Sequence, residues 1–176
     1  MRVKYALFFA VTMCVPSLVL ASESAMKLHS TAFNDNSVIP SQYTCAGEGK
    51  SPQLAWRDVP AGTRALALIV DDPDAPRRTF VHWVVYNITP NVTELPENAL
   101  KFETTSQSAI QGVNGADQVG YRGPCPPPGK PHHYHFRLFA LDSSLDLKPG
   151  ASADEVRQAI KGHVLGQTEL VGIFGR

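Results

Sequence analysis

Apolar residues in this chain gather into short runs separated by polar, proline-broken stretches. Two runs dominate, residues 64–70 and 81–88, both rich in Val, Ile and Leu. Short runs of this kind predict strands, and the segment between them, with Pro73 and Pro76, predicts a turn-bearing loop. Side chains two apart in a strand share a face, which places Asp72 with Leu66, Leu68 and Val70. The same rule places His82 with Val84, Tyr86 and Ile88. Antiparallel pairing sets the end of the first strand beside the start of the second. A carboxylate and an imidazole then meet at one rim of an apolar face.

A third strand is predicted over residues 134–141, with Tyr134, Phe136, Leu138 and Ala140 on one face and His132 in register at its entrance. Weaker alternation at 26–33, 54–56, 109–113 and 168–174 adds shorter strand candidates. Residues 34–40 and 89–97 carry turn chemistry, and 101–108 shows no usable period. The stretch 123–129, Gly-Pro-Cys-Pro-Pro-Pro-Gly, predicts a stiff loop, because proline has no N–H to give a sheet. One helix is expected. Ser152 and Glu155 form a capping box and Asp154 suits the positive N-terminus; Val156, Ala159, Ile160 and Val164 make the stripe, with Gly166 as the stop. Several short strands with one late helix indicate a mainly β sandwich in a single domain over residues 22–176.

The first 21 residues stand apart from this pattern. Arg2 and Lys4 open them, a mostly apolar run follows to Leu20, and Ala21 is a small residue suited to cleavage, the arrangement of a secretory signal. The alternative is a membrane anchor, which Thr12, Pro16 and the shortness of the run disfavour. Without this segment sixteen basic residues become fourteen against sixteen acidic ones. That balance, with no basic tract, argues against nucleic acid and anionic membrane surfaces. Export to the periplasm or beyond also changes the cysteines: three become two, Cys45 and Cys125, in an oxidising compartment where a pair tends to bridge. Two buried thiols that never oxidise are the alternative.

Three separate segments thus bring polar groups to strand ends on apolar faces: Asp72, His82, and His132 with Tyr134. The motifs around them are Asp72-Pro73-Asp74-Ala75-Pro76, His82-Trp83-Val84-Val85-Tyr86-Asn87, Gly123-Pro124-Cys125-Pro126-Pro127 and His132-His133-Tyr134. Together with the run from Cys45 to Leu54 and the close Leu170-Val171-Gly172-Ile173-Phe174-Gly175-Arg176, the chain resembles the phosphatidylethanolamine-binding protein family. The bacterial, Raf-kinase-inhibitor-like branch is the nearer match. The resemblance covers essentially the whole chain after residue 21. It implies a large antiparallel sheet, a smaller second sheet, one or two helices near the C-terminus, and a small anion-binding cavity at one end. Carried over residue by residue, it puts ligand contacts on Asp72, His82, His132 and Tyr134, with Cys125 and Pro127 on the rim and Asp74 supporting the loop. Two departures stand out: Cys125 occupies a position often glycine in eukaryotic members, and Phe174 stands where tyrosine is frequent.

The residue chemistry suits anion capture. Two imidazoles and a phenol offer N–H and O–H donors, and Asp72 beside an imidazole favours its charged form. A zinc site is the competing reading: alternation sends His133 and His135 to the face opposite His132, so at most two of the three cooperate, with Asp72 and His82 as the further ligands. A hydrolase using Asp72 and His82 to activate water is another, without a Gly-x-Ser-x-Gly elbow or a serine in the constellation. The reading the sequence supports is non-catalytic binding of small phosphorylated or other anionic groups, with no metal and no cofactor. An inhibitor acting on a protease or kinase through the pocket rim is the reading from a different class.

Overall fold

The computed structural model describes residues 25–99 and 108–176. The expected signal segment, and most of the aperiodic stretch before Ser108, lie outside the described residues. Among the described residues nine strands and one α-helix follow in order: β1 (Lys27–His29), β2 (Ser37–Val38), β3 (Leu54–Arg57), β4 (Ala65–Asp72), β5 (Phe80–Ile88), β6 (Glu94–Leu95), β7 (Ile110–Gln111), β8 (His132–Leu141), α1 (Ala153–Ala159) and β9 (Val164–Phe174). A 3-10 turn covers Ser41–Tyr43. The large sheet runs β2-β9-β8-β4-β5-β7 and the small one β1-β3-β6. All pairs are antiparallel except the short edge pairing of β2 with β9.

β4 is the axis of the large sheet, and every one of its residues is buried. That is why it reads as an unbroken apolar run rather than as alternation. Leu66, Leu68 and Val70 face the small sheet, packing with Trp83, Val85, Phe136 and Leu138 over Leu54, Trp56 and Leu95. Ala67 and Ile69 face the other way, with Val84 and Tyr86, under Val156 of α1 and Ile160. Asp71 continues this outer side. It is buried, and its carboxylate is held by Arg137 of β8 and, at 2.7 Å, by Arg157 of α1, which tethers the helix to the sheet.

Two β-bulges alter the face assignment drawn from strict alternation. Val70 pairs with Trp83 but Asp71 with Val81, so His82 is the extra residue and turns toward the face of Tyr134. Further along, Leu66 pairs with Ile88 and Leu68 with Val85, and the surplus is absorbed at Asn87, which has φ 51°. Its side chain bonds Leu145 through both the amide N–H and the carbonyl oxygen, fixing this left-handed residue in place. Ile88 therefore joins Trp83 and Val85, not Tyr86. His82 does not share a face with Val84, Tyr86 and Ile88.

The capping box at Ser152 and Glu155 is present. The helix is shorter than its stripe suggests: Gly162, at φ 83°, reverses the chain after Ile160. Val164 opens β9 and is partly exposed, and Gly166 lies within β9 opposite Ala140 instead of stopping a helix. β2 and β6 occupy stretches expected to be turns, since two paired residues leave no periodicity to read.

The ion cluster around Asp71 yields a ranking. Asp71 is buried while Arg137 and Arg157 reach solvent, so removing the carboxylate lets both arginines rehydrate. Removing both arginines strands a buried charge. Asp71→Asn is expected to cost about 1–3 kcal/mol, and Arg137→Ala with Arg157→Ala roughly 3–5 kcal/mol. Urea unfolding of the two variants measures the difference, and an equal loss would show that Asp71 is not the buried member.

Candidate functional site

The end of β4, the start of β5 and the start of β8 converge on one cavity of about 270 Å³. Asp72 is the last residue of β4 and pairs with Phe80, the first of β5; His132 is the first of β8. Asp72, Phe80, His82 and His132 line the cavity floor and wall, and Cys125 and Pro127 line its rim. Tyr134 lies beneath the two imidazoles, 5.1 Å edge-on to the His82 ring and 6.5 Å from that of His132, centroid to centroid. The four polar side chains are all buried, from 0% exposure for Tyr134 to 7% for His132. A roomier cleft of about 360 Å³ borders Lys50 and Tyr121, but it gathers no such set of buried titratable groups.

The hydrogen bonds orient both rings. His132 donates from Nδ1 to Asp72 Oδ2 at 2.8 Å, and Asp72 Oδ1 accepts from the Asp74 N–H at 2.8 Å. His82 donates from Nδ1 to the Arg122 carbonyl at 2.6 Å. Burial pushes the His82 pKa down; the carbonyl hydrogen bond and the charge of Asp72 pull it back only in part. Burial, followed by the negative charge of Asp72, moves the Tyr134 phenol upward, so it stays protonated. The Tyr134 hydroxyl has no hydrogen-bond partner among the described residues. A buried, unpaired hydroxyl is costly unless something completes it.

The rim is built from separate pieces. The Cys45–Cys125 disulfide, with Cα atoms 5.3 Å apart, joins loops 80 residues apart in sequence. Closing so long a loop stabilises by roughly 3–5 kcal/mol. Cys45 N–H donates to the Pro124 carbonyl. At Gly123 a Cβ would stand 2.9 Å from the Tyr43 carbonyl oxygen, so only glycine allows this approach. Arg176 donates from Nε to the Pro126 carbonyl at 2.7 Å, bracing the same turn from the C-terminus.

The structure thus brings Asp72, His82, Cys125, Pro127, His132 and Tyr134 together. Asp74 stands one step back. Its carboxylate accepts from the His133 backbone and Nδ1, both at 2.8 Å, and these bonds hold its pKa below the usual range. Phe174 lies opposite His132 across the β8–β9 ladder and contributes no hydroxyl. Phe80 and Arg122 were not singled out from sequence. Strand alternation two residues before His82 could have found Phe80, but nothing in a side-chain pattern signals that Arg122 acts through its carbonyl. His133 and His135 point away, the latter bonded to Glu169, and no group of three ligating side chains is placed for a metal among the described residues.

A family model described as phosphatidylethanolamine-binding protein matches residues 29–175. The chain belongs to the phosphatidylethanolamine-binding protein family. A protein from Methanothermobacter thermautotrophicus, described as a UPF0098 protein, is 51% identical over 151 residues, covering 86% of this chain and 99% of its own. The crystal structure of a phosphatidylethanolamine-binding protein homolog from Chlamydia trachomatis is similar at TM-score 0.78 and 39% identity, over 86% of this chain and 98% of that one. That of Escherichia coli YbcL, described as a member of the mammalian family, is similar at TM-score 0.81 and 30% identity, over 87% and 99%.

In this family member the buried His82 makes stability depend on pH. Its folded pKa lies below the ordinary histidine value of about 6.5, so the unfolded chain binds a proton that the folded one does not. The contribution is complete above that ordinary value and is lost as pH falls through it toward the folded pKa. The urea midpoint should fall between about pH 7.5 and 5, and less steeply in His82→Gln. Parallel slopes in the two proteins would place the acid sensitivity in another group.

Proposed function

We propose that the cavity captures small anionic groups, phosphate esters foremost, and holds them without turning them over. The observation carrying this reading is the pair of buried imidazoles anchored through Nδ1 that line one small cavity beside the Asp72 carboxylate, with Tyr134 packed against them. Anchoring in this way leaves Nε2 of each ring for a ligand, while Asp72 fixes the orientation of His132. The family's name points to a phospholipid headgroup, and a cavity of about 270 Å³ suits a headgroup without its acyl chains. Asp72, His82, His132 and Tyr134 are the proposed ligand contacts, Cys125 and Pro127 the rim, and Asp74 the loop support. Among the described residues that line the cavity there is no serine, and Cys125 is bridged. The disulfide and the signal-like N-terminus together support a periplasmic or secreted protein.

Calorimetric titration with phosphate and phosphoethanolamine tests the reading. Saturable binding is expected, lost in Asp72→Ala and in His132→Ala. Affinity should be roughly tenfold higher at about pH 6 than at pH 8, because the complex holds a proton that rising pH removes. Binding that is unaffected by both substitutions would place the anion elsewhere on the protein.

A further inference from the structure

The turn that forms one wall of the cavity is short of hydrogen-bond donors. Residues 124–128 read Pro-Cys-Pro-Pro-Pro, so Cys125 holds the single backbone N–H among them. What fastens the turn is therefore what it accepts. The Cys45 N–H reaches the Pro124 carbonyl at 3.0 Å, and Arg176 Nε reaches that of Pro126 at 2.7 Å. The bridge from Cys125 to Cys45 is the third tie. It stands where a run of prolines leaves the backbone little else to offer.

The bridge also lies open to solvent. Cys45 and Cys125 are both exposed, although Thr44, Pro124 and Pro126 beside them are buried. Cys125 lines the cavity together with Pro126 and Pro127. An incoming thiolate thus reaches the bridge without unfolding the chain, and the bond it breaks is part of the cavity wall. The strands beneath do not hang on that bond, since β4 pairs with β5 and β8 through its own ladders. Neighbouring contacts keep the two loops together when the bridge is cut. The Tyr121 hydroxyl donates to the Tyr43 carbonyl at 3.0 Å, and the hydroxyl of the buried Tyr43 donates to Glu97 at 2.7 Å. Two thiols held in this way can close again.

We propose that the Cys45–Cys125 bridge is a redox latch on the cavity: a dithiol opens it on the folded protein, and the wall formed by residues 124–127 then loosens. One thiolate of the dithiol attacks a sulfur of the bridge, and the S–S bond breaks to give a mixed disulfide and a cysteine thiolate that takes up a proton. The second thiol of the dithiol, as its thiolate, then displaces the other cysteine, which is protonated in turn. The protein gains two thiols and the dithiol leaves as a disulfide, so two electrons pass to the protein. In an oxidising compartment the latch stays closed until such a dithiol is supplied. It controls access to the cavity, whichever ligand fills it.

The test treats the intact, bridged protein with dithiothreitol or with reduced thioredoxin, without denaturant, followed by anaerobic desalting. Cys45 and Cys125 should both become labelled by a thiol reagent, with near-UV circular dichroism still that of a folded protein. Reduction by dithiothreitol alone confines the latch to small dithiols; reduction by thioredoxin as well extends it to protein carriers. Access is then read with diethyl pyrocarbonate, which acylates imidazole nitrogen. His82 and His132, which line the cavity, should react at least about threefold faster than in the bridged protein, as a local opening requires. The exposed His29 should react at an unchanged rate. Cys45→Ser combined with Cys125→Ser should match the reduced protein. A bridge that yields only in denaturant, a chain that unfolds when the bridge is cut, or equal His82 and His132 rates in the bridged and reduced proteins would each overturn the latch. The rates on the unsubstituted protein decide the matter if the double variant does not fold.

Discussion

Two adjacent carboxylates close a strand that is buried on both faces, and much of the architecture answers that problem. Asp71 and Asp72 project to opposite sides of β4, each with about 3% of its surface exposed. Ionised carboxylates at such depth require partners. On the outer side Arg137 and Arg157 meet Asp71, and Arg157 brings α1 onto the sheet. On the inner side Asp72 meets His132, and its second oxygen receives the Asp74 N–H. One charge thereby docks a helix, while the other orients the imidazole of a pocket. The polar site is continuous with the core rather than attached to it.

The inner side depends equally on a break in regularity. Strict pairing from Trp83 onward would keep His82 on the helix side with Val84. The bulge between Val70 and Asp71 turns it inward, where the Arg122 carbonyl fixes its tautomer. Bulges beside functional sites commonly re-aim one side chain in this way. The left-handed residue at Asn87 restores register further along the same strand. Between the two bulges Trp83 and Val85 stay in the core, so the re-aiming does not disturb the packing.

The rim is a meeting of distant chain segments. The bridge between Cys45 and Cys125, the close approach at Gly123 and the contact from Arg176 to Pro126 draw three loops together above the strand ends. The match to the family over residues 29–175 spans the two bridged loops and ends one residue before Arg176. Cys125 and Phe174 both sit at this end of the molecule. The first supplies a covalent tie, and the second contributes no hydroxyl.

Local pattern carried a large part of this. The three long strands β4, β5 and β8 and the capping box of α1 follow from apolar patterning and capping chemistry, which act over a few residues, whereas the grouping of Asp72, His82, His132 and Tyr134 into one pocket is what the family resemblance implies. Short edge strands such as β2 and β6 were invisible because two residues have no period. The end of α1 was misplaced because Val156, Ala159, Ile160 and Val164 continue a helical stripe that the left-handed Gly162 cuts off. The face of His82 was decided only by tertiary structure, since a bulge arises from pairing with a partner strand. The role of Arg122 was decided there too, because a backbone carbonyl has no residue type. The sequence by itself determined which chemical groups reach the strand ends; pairing and packing between distant segments decided which way each of them points.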